Sequence, residues 1–158
     1  MRTGRVKKRI LKPDPLYGNH LITRFTNRLM RDGKKTVAQG IIYKTLERIK
    51  QKTGEDPVKV LESAIANVGP RLEVRPRRIG GASYQVPMEV KGDRRQALAI
   101  RWLINAAKEK SSRDFHTFDQ KLAAELLDAY KNVGLAIKKR NEVHRMAEAN
   151  RAFAHFRW

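Results

Sequence analysis

The apolar residues of this chain repeat with a helical period almost throughout and switch to a two-residue period in one stretch only, between Leu72 and Val90. That single switch restricts the fold to a helical body carrying one hairpin. Leu21, Ile22, Phe25 and Leu29 mark a first helix over 20–31, with Gly33 placed as a left-handed C-terminal cap. Val37, Ala38, Ile41, Ile42, Leu46 and Ile49 predict a second helix that stops at Gly54. Asp56-Pro57 supplies a capping side chain and a proline at the first helical position, and Val58, Leu61, Ile65 and Val68 give the third helix its face before Gly69-Pro70 ends it. Val74, Ile79, Tyr84, Val86, Met88 and Val90 then favour two strands joined at Gly80-Gly81. Pro76 and Pro87 must occupy edge positions of that ribbon.

Asp93 and Gln96 have the spacing of a capping box for a fourth helix over about 94–108. Its Leu98, Ile100, Trp102, Leu103 and Ile104 surround most of the circumference and predict a central position. Thr117 and Gln120 open a fifth helix, with Phe118, Leu122, Leu126 and Tyr130 four apart. A sixth is expected from about Lys131, with Val133, Ala136, Ile137, Val143 and Ala147 inward and Lys131, Lys138 and Arg145 outward. The expected architecture is mainly α: a six-helix single domain over 20–150 with a protruding two-stranded β-hairpin at about 72–90, a basic N-terminal arm over 1–19 and a C-terminal tail over 151–158.

Charge decides what kind of partner such a domain meets. Thirty-five Lys and Arg against 16 Asp and Glu leave a formal +19 in 158 residues. Self-repulsion on that scale favours a polyanionic partner, with nucleic acid foremost. The absence of cysteine excludes a disulfide scaffold, a thiolate metal site and a cysteine nucleophile. No stretch is long and apolar enough to span a membrane, and residues 1–12 lack the apolar core of a secretory signal. A soluble, intracellular protein is expected.

Enzyme motifs fail on inspection. Gly33-Lys34-Lys35-Thr36 resembles the end of a phosphate-binding loop, but Lys35 stands where the magnesium-binding hydroxyl belongs and Arg28 where the earlier glycine belongs. His20, His116, His144 and His155 lack metal-ligand spacing. Asp114, Asp119, Glu125 and Asp128 read as solvated helix charges and ion pairs rather than an acid/base pair. No catalytic residue, metal, cofactor or small-molecule substrate is expected.

The basic residues group more tellingly. Arg2, Arg5, Lys7, Lys8, Arg9 and Lys12 form an arm without an acid, ahead of Pro13 and Pro15. Arg71, Arg75, Arg77 and Arg78 crowd one arm of the hairpin, while Tyr84 and Gln85 on the other offer stacking and hydrogen bonding. The planar guanidinium both forks a phosphate and stacks on a base, so arginines here point to nucleic acid more than lysines would. Arg94, Arg101 and Lys108 lie seven apart on helix four, with Arg95 beside the first, and Lys138 and Arg145 repeat that spacing on helix six. Trp102 reads as core, whereas Trp158 has no evident packing role.

Long motifs carry a resemblance. The turn Asp32-Gly33-Lys34-Lys35 followed by Ile41-Ile42-Tyr43, the hairpin from Arg77 to Pro87, the segment from Ala97 to Trp102 and the ending from His144 to Trp158 closely resemble the bacterial family of small-subunit ribosomal protein seven. The resemblance covers almost the whole chain. It implies a six-helix domain with a protruding ribbon that binds the 3′ major domain of small-subunit ribosomal RNA and nucleates assembly of the subunit head. It further implies a place near the exit-site tRNA and the outgoing mRNA, beside neighbouring small-subunit ribosomal proteins, in the cytoplasm or in a plastid. Transferred residue by residue, it puts Lys34, Lys35, Arg75, Arg77, Arg78 and the arm from Arg2 to Lys12 on RNA. Gly80 and Gly81 become the ribbon tip, and the tail from Arg151 to Trp158 lies toward neighbouring ribosomal elements. Gly92-Asp93, Leu135 and the stretch from Ser111 to Thr117 depart from the pattern. The competing class is a sequence-specific DNA-binding regulator, which needs an exposed recognition helix and usually a dimer.

Overall fold

The computed structural model describes residues 10–156. Among these, six α-helices and one two-stranded antiparallel sheet follow the order expected: α1 (His20–Leu29), α2 (Lys35–Thr53), α3 (Pro57–Val68), β1 (Leu72–Ile79), β2 (Ala82–Glu89), α4 (Gly92–Glu109), α5 (Phe118–Tyr130) and α6 (Leu135–Ala149). A 3-10 helix, Arg151–Phe156, ends the described chain. Asn19 caps α1 through its side chain, Asp56 caps α3 ahead of Pro57, and Gly54 closes α2 in the left-handed region at φ 71°. The core runs through all six helices, with Ile22, Phe25, Leu46, Ile49, Val60, Leu103, Leu122 and Leu126 almost wholly removed from water.

Gly80 (φ 56°) and Gly81 (φ 90°) supply the two positive dihedrals of a tight two-residue hairpin turn. The ladder starts at Val90 N–H donating to Arg71 O, so Arg71 and Val90 form a hydrogen-bonded pair. Pairs alternate from there, and Val74↔Pro87 and Pro76↔Gln85 therefore fall in non-hydrogen-bonded pairs where neither proline lacks a needed donor.

Four expectations are corrected. Asp93 and Gln96 do not cap α4: Arg24 of α1 reaches both, at 2.9 and 2.5 Å, and the N-cap residue Lys91 makes no side-chain cap bond. Gly33 is left-handed (φ 71°), but α1 has already ended at Leu29, with the Met30 N–H on Thr26 O. The sixth helix begins at Leu135, because Asn132 (φ 58°) and Gly134 (φ 98°) turn the chain first. Lys131 is therefore off that helix, and Val133 is 53% exposed instead of inward. Lastly, α4 shares the centre with α5, which packs against α2, α3, α4 and α6.

The α5 carboxylates are also not simply solvated. Glu125 is fully buried, and its Oε1 accepts the Ala136 N–H at 2.9 Å, in the first turn of α6. Its Oε2 lies 3.0 Å from Lys110 Nζ but makes no well-directed hydrogen bond, so that pairing is one of charge. Lys110 also binds Asp128 at 2.8 Å. Burial pushes the Lys110 ammonium down, and the two carboxylates more than reverse it, leaving it above the usual lysine value. Gly134 must be glycine, since a Cβ would come 2.9 Å from Glu125 Oε1 and 3.0 Å from Asp128 Cβ.

Candidate nucleic-acid interface

The arginines divide into two populations according to whether a carboxylate holds them. Glu73, at the base of β1 and 8% exposed, takes Arg94 of α4 in a fork (2.8 and 2.7 Å) and its strand neighbour Arg75 at 2.5 Å. Arg24 pairs with Asp93, and Arg48 with Asp119 at 2.5 Å. Burial would raise the Glu73 carboxyl, yet the two guanidiniums hold it below the ordinary carboxylate range. Asp119 is likewise driven up by burial and brought net below that range by Thr117 and Arg48. These arginines fasten the ribbon, α1 and α2 to the rest of the domain.

The sign of the resulting pH dependence is fixed. Both carboxyls have lower pKa values folded than unfolded, so the unfolded chain binds more protons and stability rises with pH. Their contribution is present above the ordinary carboxylate value of about 4 and is lost as pH falls below it toward the folded values. Thermal melts across pH 2–6 are expected to fall steeply on that acid limb, and less steeply in Glu73→Gln; an equal acid limb in the variant contradicts the assignment.

The second population faces outward. Arg77 and Arg78 sit beside the ribbon tip with no protein partner among the described residues, and Gly80, Gly81 and Gln85 are exposed there. Tyr84 lies directly across from Arg77 and shares its face. Its ring packs on Phe153 and Phe156 of the 3-10 helix, with centroids 5.2 and 5.5 Å away. The C-terminal segment thus lies along β2, and the stacking surface there is composite, built from Tyr84 and the two phenylalanines. The sequence alone does not join the tail to the ribbon; the available signal is the pair Phe153 and Phe156, three apart on one side of a short helix.

The remaining candidates form three further groups. Lys34 caps α2 and lines an apolar cleft with Arg31 and Lys108, and Lys35 stands exposed at the first residue of the helix. Lys138 and Arg145 of α6 meet Arg101 of α4 across a groove of about 600 Å³, floored by half-buried Trp102. Arg71 and Arg95 converge with Arg140 and His144, neither of which the sequence places beside them because nothing local shows that α6 folds back on the α3–β1 turn. Arg94 is thereby separated from Arg101 and Lys108: the three share a helix but serve an ion pair, a groove and a cleft. Lys12 is exposed, and its carbonyl accepts the Thr23 hydroxyl at 3.0 Å. Asp14 is buried and takes the Leu16 and Tyr17 N–H groups and the Tyr43 hydroxyl, tying this segment to α2. Arg2, Arg5, Lys7, Lys8, Arg9 and Trp158 lie outside the described residues. Among the described residues no helix is long and apolar enough to cross a membrane, and no cluster of three His, Asp or Glu is arranged to hold a metal.

Comparison with known proteins matches the sequence of this chain to one family. Residues 1–151 match the family model described as ribosomal protein S7p/S5e. Relatives named small ribosomal subunit protein uS7 include that of Moorella thermoacetica, 56% identical over 157 residues and 99% of each chain. That of Solidesulfovibrio magneticus is 55% identical over 157 residues and 99% of each chain, and that of Fervidobacterium nodosum 55% identical over 158 residues and all of both chains.

Proposed function

The chain belongs to the ribosomal protein S7p/S5e family, and from that membership we propose that it is a structural, non-enzymatic component of the small ribosomal subunit in the cytoplasm. It binds the 3′ major domain of the ribosomal RNA and nucleates assembly of the subunit head, beside neighbouring ribosomal proteins and near the exit-site tRNA and the mRNA exit. The RNA-binding set comprises the arm Arg2, Arg5, Lys7, Lys8, Arg9 and Lys12, the α2 turn Lys34 and Lys35, Arg71 at the ribbon base, and Arg77, Arg78, Tyr84 and Gln85 of the ribbon. It extends over Arg95, Lys138 and Arg145, while Arg75 and Arg94 act through Glu73 by holding the ribbon in place.

The observation that carries this reading is the partition of the arginines: acids inside the domain hold one set, and among the described residues cations without an acid are left on the ribbon, the α4/α6 groove and the helix ends of a chain with a formal +19. A DNA-reading helix fits less well, because the two arginines at the start of α4 are engaged with Glu73 and with the Gly69 carbonyl. Sedimentation of the tagged protein from a lysate tests the proposal. Comigration with the small subunit is expected; migration as a free dimer contradicts it and favours the regulator.

A further inference from the structure

Arg71, Arg95, Arg140 and His144 line one open cup between the α3–β1 turn, α4 and α6. Arg140, Arg95 and His144 are held there by backbone, and Arg140 also by the Asn141 side chain, to whose Oδ1 its Nε and Nη2 donate at 3.0 and 2.8 Å. Arg140 Nη1 donates to Asn67 O at 2.6 Å, Arg95 Nε to Gly69 O at 3.1 Å, and the Arg71 N–H to His144 Nε2 at 2.9 Å. Gly69 shows how tightly Arg95 is seated: a Cβ there would stand 2.9 Å from Arg95 Nε and 3.0 Å from its Cγ. Asn67, which fixes Arg140, is itself anchored to the Ala129 and Tyr130 carbonyls at 3.1 Å.

Three guanidiniums are thus gathered without a carboxylate, since among the described residues no acid lies within ion-pair distance of Arg71, Arg95 or Arg140. This sets the cup apart from Arg24, Arg48, Arg75 and Arg94, each of which has its acid. Gathering like charges costs energy that solvent repays in part and an anion repays fully. The histidine adds no further positive charge. Burial, then Arg140, with Arg71 and Arg95 adding to it, pushes the imidazole down against the opposing pull of Glu148. Its Nε2 is an acceptor here, so the ring is neutral, with its proton on Nδ1.

We propose that this cup is the seat of one backbone phosphodiester of the bound RNA, with Arg71, Arg95 and Arg140 as donors and His144 as the residue that positions Arg71. The inference rests on the RNA-binding reading above and adds to it a defined phosphate site with two residues, Arg140 and His144, outside the ribbon and arm. Arg71→Gln is the informative variant, because its side chain binds nothing in the protein among the described residues, while its backbone bond to His144 survives substitution. Arg95→Gln is the second, and a thermal melt on each preparation verifies the fold.

Filter binding of the full chain to a 3′ major domain transcript is expected to weaken about tenfold in either variant, the scale of one charge-assisted hydrogen-bonded pair. The slope of log K against log salt is expected to become shallower by about one. Inorganic phosphate, followed through the His144 ring resonances, distinguishes a free ion from an RNA phosphate: wild type is expected to shift and the double variant Arg71→Gln/Arg95→Gln to stay still. Wild-type affinity and slope in normally folded variants overturn the cup while leaving RNA binding intact. Should the wild-type chain itself fail to bind the transcript, the RNA reading falls, and the phosphate titration alone decides the cup: a saturable shift supports it, and no shift overturns it.

Discussion

Glu125→Ala is expected to lower the stability of the domain by about 3–5 kcal/mol, the range for breaking a buried ion pair by removing one partner. Three losses coincide at this position. The Ala136 N–H at the start of α6 loses its acceptor, Lys110 loses one of its two carboxylates while staying 15% exposed, and a void opens in the middle of α5. Against a total stability of about 5–15 kcal/mol, this removes from about a fifth to all of it. For a domain of this size the unfolding midpoint drops by roughly 6–20 °C. Glu125→Gln keeps the acceptor for Ala136 but aims an amide at Lys110, and an intermediate loss follows. Circular-dichroism melts of the three proteins check the order; a midpoint for Glu125→Ala within 2 °C of wild type contradicts the structural role of this carboxylate.

RNA affinity is expected to depend more steeply on salt than on any single residue. On the proposed RNA-binding reading, arm, ribbon, cup, α4/α6 groove and α2 turn each offer cations to an extended polyanion, and each phosphate neutralised releases condensed counterions. If six to ten phosphates are contacted, affinity falls by about 10³–10⁵ between 50 and 200 mM salt. Filter-binding titrations at several salt concentrations measure the slope directly. A nearly flat slope means that base contacts or shape carry the binding, and the charge excess has another purpose.

How much of this was legible in the sequence follows from the range of each interaction. The helices and the ribbon were readable because their signals are local: the apolar period, Asp56-Pro57 at one helix start, Gly54 and Gly69-Pro70 at two ends, Gly80-Gly81 at the hairpin turn. Errors arose where a distant residue overruled a local motif. Asp93 and Gln96 have capping-box spacing, but Arg24, 69 and 72 residues away, takes both side chains. Glu125 looks like any helix-five acid until α6 lays its first turn on it. The same limit applied to the interface. The sequence shows which residues are basic but not which ones an acid has claimed, because Arg48 meets Asp119 across 71 residues and Arg94 meets Glu73 across 21. The cup of Arg140 and His144 with Arg71 and Arg95 is hidden for that reason, whereas Arg77 and Arg78 have no protein partner among the described residues, and their place on one arm of the hairpin is a local signal.

The division of the arginines between fold and RNA can be tested with two variants on one preparation scheme. In Arg77→Ala/Arg78→Ala no carboxylate is left unpaired, so the melt is expected to stay within the ±0.5 kcal/mol usual for surface sites. Affinity for the 3′ major domain RNA is expected to fall at least about tenfold, equivalent to about 1.4 kcal/mol. Arg48→Ala strands Asp119, whose side chain is only 11% exposed, so it is expected to cost about 1–3 kcal/mol of stability and leave the affinity of the folded protein near wild type. The most direct measurement is therefore RNA affinity and unfolding free energy on wild type and both variants. The ribbon variant is expected to move only the first and Arg48→Ala only the second; unchanged affinity in a normally folded ribbon variant contradicts the division of the arginines.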